Sequence, residues 1–291
     1  MELILKNNRN IIYNVMTCLS FNDRYNLCIT NKDYFENKFK KYKHQELFTI
    51  KFKDRLLTKK WSNIKFGIYL FKSHITNVSI LKNVHTLNLD FCQNITDVSM
   101  LGNVHTLYLS RCQNIKDVSM LGNVHSLNLS HCYNITDVSM LGNIHSLNLS
   151  NTNITDVSML GNVHTLNLFG CNKITDVSML INVHTLKLSW CDNITDVSTL
   201  GNVHTLYLSW CENIRDVSML GNVHTLNLSE CDNITDVSML GNVNTLDLSD
   251  CENIIDVSML GNVNTLDLSD CENIPKYQII ELNKTVKKLK Y

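Results

Sequence analysis

The sequence predicts an α/β solenoid. This is a right-handed arc with short parallel strands on its concave side and turns or 3-10 segments on its convex side, preceded by a small all-α module. Three observations predict it. From Leu81 a 20-residue phrase recurs ten times, with a single step of 19. Its apolar positions fit neither a helix period nor plain alternation. The residues ahead of it follow helical spacing and carry the opposite charge.

The repeat reads L-G-N-V-H-T-L-N-L-S-x-C-x-N-I-T-D-V-S-M, with units opening at Leu81, Leu101, Leu121, Leu141, Leu160, Leu180, Leu200, Leu220, Leu240 and Leu260. In one unit the apolar positions are Val84, Leu87, Leu89, Cys92, Ile95, Val98 and Leu101. Leu87-Asn88-Leu89 alternates as a short strand does. The others follow at intervals of three, as a coil with one inward residue per bend requires. One such unit cannot bury its own leucines, so neighbours must stack. Strands then pair in parallel at roughly 4.8 Å per unit. Twenty residues leave no room for a full helix on the outer side. A 3-10 turn is expected there, capped by Asp97 or Thr96.

This pattern, L-x-x-L-x-L-x-x-C-x-I, resembles the leucine-rich repeat over about residues 75–275. The resemblance implies a binding solenoid rather than an enzyme. No nucleotide-loop, dinucleotide or zinc-protease motif is present, and no nucleophile stands beside a base. No cofactor and no metal are expected.

Two ladders test that reading. Nine cysteines, from Cys92 to Cys271, hold one repeat position, and Thr152 fills it in the short unit. A metal–thiolate site needs four ligands converging on one ion. A column with one sulfur per unit diverges, so buried thiols acting as small hydrophobes are expected. Eight histidines, from His85 to His224, form a second column that Asn244 and Asn264 continue. The alternatives are a metal array or pH switch and a hydrogen-bonding column; replacement by asparagine favours the latter. Asparagines such as Asn94 and Asn103 read as residues that satisfy backbone groups.

Net charge is −1, which hides an asymmetry. Residues 1–80 carry 15 Lys/Arg against 6 Asp/Glu; residues 81–275 carry 6 against 20. The domains expected are a helical module at 1–48, a cap or connector at 49–73, the solenoid at 74–275 and a C-terminal cap helix at 276–291. Trp61, Phe66, Tyr69 and Phe71 are expected to seal the first unit. After Pro275, a helix over Tyr277–Leu289 is expected to turn Ile279, Ile280, Leu282 and Val286 inward. The sequence has no apolar run long enough for a membrane span and no signal-peptide core near Met1. Its eleven cysteines suit a reducing compartment. A cytoplasmic protein with neither membrane nor nucleic-acid partner is expected.

Specificity must lie where the repeat varies. The residue between the strand leucines includes Tyr108, Lys187 and Tyr207. The residue before the cysteine includes Arg111, His131, Trp190, Trp210, Glu230, Asp250 and Asp270. Alternation turns these away from the packed leucines. They predict an aromatic contact centre with an acidic flank that takes a basic protein partner.

The helical segment carries Ile12, Val15, Met16 and Leu19, then Leu27, Cys28 and Ile29 on a second helix begun at Asn22-Asp23, then Tyr34 and Phe35 on a third. The stretch from Asp23 to Tyr34 resembles the F-box pattern D-L-x-R-L-x-x-V-S-K-x-W, with Asp23, Leu27, Lys32 and Tyr34 in register. An F-box before leucine-rich repeats is similar to the substrate-recognition subunits of Skp–cullin–F-box ubiquitin ligases. That resemblance implies a Skp-family adaptor docked by Ile12, Val15, Met16, Leu19, Leu27, Ile29 and Tyr34. The near-identical units look like F-box/leucine-rich-repeat proteins of mimivirus-like, amoeba-infecting giant viruses, which implies the host cytoplasm. The alternative is a stand-alone scaffold whose helical segment is only a cap.

Overall fold

The computed structural model describes residues 27–29 and 67–291. They fall into two compact units, divided after Asn134. Both are built from leucine-rich-repeat turns.

The first unit holds five strands: β1 (Leu27–Ile29), β2 (Gly67–Leu70), β3 (Thr86–Asn88), β4 (Thr106–Tyr108) and β5 (Ser126–Asn128). From β2 to β5 they pair in parallel, repeat position against repeat position: Leu87 opposes Leu107, and Leu107 opposes Leu127. The second unit holds β6 (Ser146–Asn148), β7 (Thr165–Asn167), β8 (Thr185–Lys187), β9 (Thr205–Tyr207), β10 (Thr225–Asn227), β11 (Thr245–Asp247), β12 (Thr265–Asp267) and β13 (Lys288–Lys290). All pair in parallel in the same register.

The expected inward set forms the core. Val104, Leu107, Leu109, Cys112, Ile115 and Leu121 are fully buried, and the equivalents in other turns are buried too, except that Cys271 in the last turn is half-buried. Burying each leucine contributes about 1.5–3 kcal/mol. It is available only once the next turn covers it, so each turn stabilises its neighbours. Opposite the strands run 3-10 turns such as Ser99–Leu101 and Ser218–Leu220. The N-cap residue is Val98 rather than Asp97 or Thr96, and it makes no side-chain cap bond; one residue before it, Asp97 Oδ1 accepts from Ser99 N–H at 2.9 Å, and Asp117 and Asp216 repeat this. The serine side chain first, and then its backbone N–H, hold the aspartate carboxyls below the usual range. One unit differs. Ile181 stands where most others have glycine, and residues 178–179 form a plain turn rather than a 3-10 helix.

Both ends depart from the sequence-based expectation. Residues 27–29, expected on a helix, form β1, which pairs antiparallel with β2 (Leu27 opposite Leu70, Ile29 opposite Ile68). An open parallel edge leaves a row of unpaired N–H and C=O groups. A short run such as Leu-Cys-Ile satisfies that edge better as a strand. At the other end Pro275 precedes helix α1 (Lys276–Thr285), shorter than expected, and the chain returns as β13 against β12. Leu282 and Val286 are buried as expected, but Ile280 is 60% exposed. Gln278 takes an inward place instead, its Oε1 accepting from Val257 N–H at 2.7 Å. The final edge bears Lys288 and Lys290, charges that discourage further pairing.

The remaining N-terminal expectations lie outside the described residues. These are the helices carrying Ile12, Val15, Met16, Leu19 and Tyr34, and the sealing roles of Trp61 and Phe66.

Candidate binding surfaces

The residue before each cysteine is the most distinctive backbone feature. Phe91, Arg111 and His131 in the first unit stand at φ of 62°, 60° and 58°. Asn151, Gly170, Trp190, Trp210, Glu230, Asp250 and Asp270 in the second lie between 54° and 67°. This left-handed conformation is uncommon for bulky residues. The ladder fixes it: Arg111 N–H donates to Ser130 O at 2.8 Å, and Trp190 N–H to Ser209 O at 3.0 Å. The turn therefore presents one side chain per rung on a rigid backbone, at the edge of the strand face.

In the second unit these positions bring the predicted residues together. Trp190 and Trp210 stack with centroids 4.8 Å apart and planes 21° apart, yet remain 44% and 38% exposed. Beside them, Lys187 Nζ lies 5.3 Å from the centre of the Tyr207 ring. Along the same column follow Glu230 and Asp250, half-buried, and Asp270, exposed. Asp232, Glu252 and Glu272 stand exposed two residues further on. Partial burial, then the charges of Asp250, Asp232 and Glu252, raise the Glu230 carboxyl above its usual range. At the far end Lys290 pairs with Asp267 at 3.0 Å.

In the first unit the predicted Arg111 sits in a different setting. Its guanidinium lies 5.2 Å from the centre of Phe91, and Lys72 Nζ lies 5.5 Å from the same ring. Phe71 meets Phe91 edge-on at 4.9 Å. His131 Nδ1 is 3.1 Å from the hydroxyl of Tyr133, and partial burial, then Arg111, lowers its pKa. Tyr108 is half-buried on β4. Phe71 and Lys72 precede the first full repeat, and their contact with Phe91 crosses from the cap to it.

The ladders are architecture. Cys112 Sγ–H donates to Leu89 O at 3.1 Å and Cys211 Sγ–H to Leu188 O at 3.2 Å. Thr152 substitutes its hydroxyl, donating to Leu149 O at 2.7 Å. Burial raises the thiols, Cys211 to about 11 and Cys132 to about 12, so these sulfurs are not nucleophiles. Among the described residues no His, Cys, Asp and Glu group is arranged to hold a metal. The imidazoles stack along the strand edge, His164 on His184 at 4.6 Å and His184 on His204 at 4.5 Å. Each of several also meets the neighbouring threonine hydroxyl, as His204 meets Thr205 at 3.2 Å. The asparagine after the cysteine binds backbone as expected: Asn213 Nδ2 donates to Asp192 O at 2.6 Å. The asparagine after glycine does not; Asn103 is exposed and forms no side-chain hydrogen bond with any described residue, because it lies on the outside of a turn already closed by backbone bonds.

A further surface was not anticipated. The outer turns expose a stripe of methionines, among them Met219, Met239 and Met259 at 61–62%. Among the described residues no helix is long and apolar enough to cross a membrane.

No protein-family model matches the chain, and no curated protein sequence matches it. Several solved structures are similar. An internalin, InlF, from Listeria monocytogenes aligns with 77% of this chain and 86% of its own, at 20% identity and a TM-score of 0.49. TLR13, in its complex with ssRNA13, aligns with 74% of this chain and 45% of its own, at 19% identity and 0.48. The complex of Rad7 and Elc1 in yeast gives 68%, 66%, 19% and 0.46. The rung geometry itself establishes the fold: parallel three-residue strands in repeat register, buried leucine and cysteine columns, and 3-10 outer turns are a leucine-rich-repeat solenoid.

Proposed function

We propose that the chain is a protein-binding scaffold. Its strand-face rim in the second unit holds a basic segment of a partner through Lys187, Trp190, Tyr207 and Trp210, with Glu230, Asp250 and Asp270 as the flank. The observation that carries this reading is the exposed tryptophan pair. Two tryptophans in left-handed conformation, each more than a third exposed, are not what packing alone selects. Exposed aromatics of this kind are common anchors of interfaces. The acidic column supplies sign. Its carboxylates repel one another, and a cationic partner relieves that repulsion. The excess of acid over residues 81–275 also argues against a nucleic-acid backbone as the ligand.

The test is fluorescence anisotropy of a labelled oligoarginine peptide against the full chain. Saturable binding is expected, weakened about tenfold or more by Trp210→Ala and by Glu230→Lys with Asp250→Lys. Binding indifferent to all three substitutions refutes the reading.

A finer reading makes the scaffold the substrate-recognition subunit of a Skp–cullin–F-box ubiquitin ligase. It is supported by the F-box-like residues Asp23, Leu27, Lys32 and Tyr34. The strand at Leu27–Ile29, where that family has a helix, favours instead a scaffold with its own N-terminal cap. Capture of a Skp-family adaptor by the full chain, lost on Leu19→Asp, would support the ligase role. Equal capture by both, or none by either, would leave the scaffold reading alone.

A further inference from the structure

We propose that the first unit carries a second binding surface of opposite sign, on which Lys72 and Arg111 seat an acidic peptide segment. It does not rest on the tryptophan site.

Both cations are exposed, and neither forms an ion pair with any described residue. Aromatic faces hold them instead. Lys72 Nζ lies 5.4 Å from the centre of Phe71 and 5.5 Å from Phe91, and the Arg111 guanidinium lies 5.2 Å from Phe91. Each positive charge stands without a counter-anion among the described residues, and the carboxylates of an acidic segment would supply one. The acidic residue beside Phe91 does not supply this anion. Asp90 accepts from Ser110 N–H at 2.7 Å and from Asn88 Nδ2 at 3.0 Å, so its oxygens are committed.

The surface is also preorganised. Lys72, Phe91 and Arg111 all stand in left-handed conformation, at φ of 56°, 62° and 60°. Their backbone N–H groups donate to Asp90 O, Ser110 O and Ser130 O at 3.0, 2.8 and 2.8 Å. Little ordering therefore remains to be done when a ligand arrives. A peptide carboxylate fits better than a nucleic acid. Two cations neutralise few phosphates, and the ring faces needed for base stacking are already taken by Lys72 and Arg111.

The test uses the full chain and a fluorescein-labelled oligoglutamate peptide, followed by anisotropy. Binding is expected, falling steeply with added salt. Arg111→Glu is expected to weaken it about tenfold or more, Lys72→Glu similarly, and Phe91→Leu by a few-fold, since leucine keeps the bulk without the ring's negative face. Trp210→Ala should leave it unchanged. Circular dichroism of Arg111→Glu and Lys72→Glu should match that of the parent, because both side chains are exposed. The proposal is overturned if the peptide does not bind, or binds Arg111→Glu as well as the parent. It is equally overturned if oligouridylate of the same length binds more tightly at Arg111. Sedimentation showing that Arg111→Glu instead dissolves an oligomer would assign the surface to a second copy of the chain and overturn it too.

Discussion

Substituting Trp210 by alanine and by glycine should separate two contributions that the native residue combines. Alanine retains the left-handed strain at φ 62° and removes the stack on Trp190. Glycine removes both. Loss of an aromatic pair costs about 0.5–1.5 kcal/mol beyond buried area, so Trp210→Ala destabilises the second unit. A non-glycine residue in left-handed conformation costs about 1–2 kcal/mol. Glycine loses about 0.5–1 kcal/mol more in backbone entropy than alanine. The difference makes Trp210→Gly about 0.5–1 kcal/mol more stable than Trp210→Ala, the reverse of the usual order. At Thr205, on a strand with ordinary dihedrals, the glycine variant should be the less stable by about 0.5–1 kcal/mol. Urea unfolding of the four variants, with equal slopes, gives both differences directly. If glycine is no better than alanine at residue 210, the column is not strained, and the inference that ligand contact selects its bulky residues fails.

Further outcomes follow from the same geometry. Gly201→Ala should cost about 1–3 kcal/mol in urea unfolding, because a Cβ there runs into the carbonyl oxygen of Met219; a neutral result would contradict the rung spacing. Burial raises the Cys211 thiol to about 11. The folded state therefore keeps its proton while the unfolded chain loses it near the ordinary thiol value. This contribution is full below about pH 8.5 and lost as pH rises through about 11. Cys211→Thr, which copies Thr152, should flatten that alkaline limb; an unchanged limb would refute the assignment. Burial first, then His204 and His164, lowers the His184 pKa. Its contribution is therefore present above the unfolded histidine value near 6.5 and lost as pH falls below it. His184→Asn should lessen acid sensitivity in thermal melts at pH 5 against pH 7.5; unchanged sensitivity would remove the stack as its source.

What was legible in the sequence is what one turn repeats. Leu107, Leu109, Cys112, Ile115 and Val118 recur at fixed offsets, and each turn meets a copy of itself, so the inward set needed no long-range information. The ends lack that guarantee. Leu27–Ile29 and Lys288–Lys290 become strands because a neighbouring edge offers unpaired backbone groups, a fact their own sequence does not carry. Ile280 reads as inward by helical spacing, yet Gln278 is drawn in by the Val257 N–H. The left-handed column was hidden for another reason. Phe, Arg, Trp and Glu occupy it beside the Gly, Asn, Asp and His that favour positive φ, so its composition signals the conformation only weakly. Position in the repeat places Trp190 and Trp210 at the surface, where both are exposed, whereas Tyr108 and Tyr207 are half-buried. The cations on Phe91 were missed because Phe71 and Lys72 precede the repeat and join it only in three dimensions.

Binding at the variable rim of the strand face can be read by hydrogen–deuterium exchange of the full chain with and without the oligoarginine peptide. Protection is expected across 187–192, 207–212, 227–232 and 247–252, with the outer turns around Met219, Met239 and Met259 unchanged. Protection confined to those methionine turns, with none at Trp190 or Trp210, would contradict it.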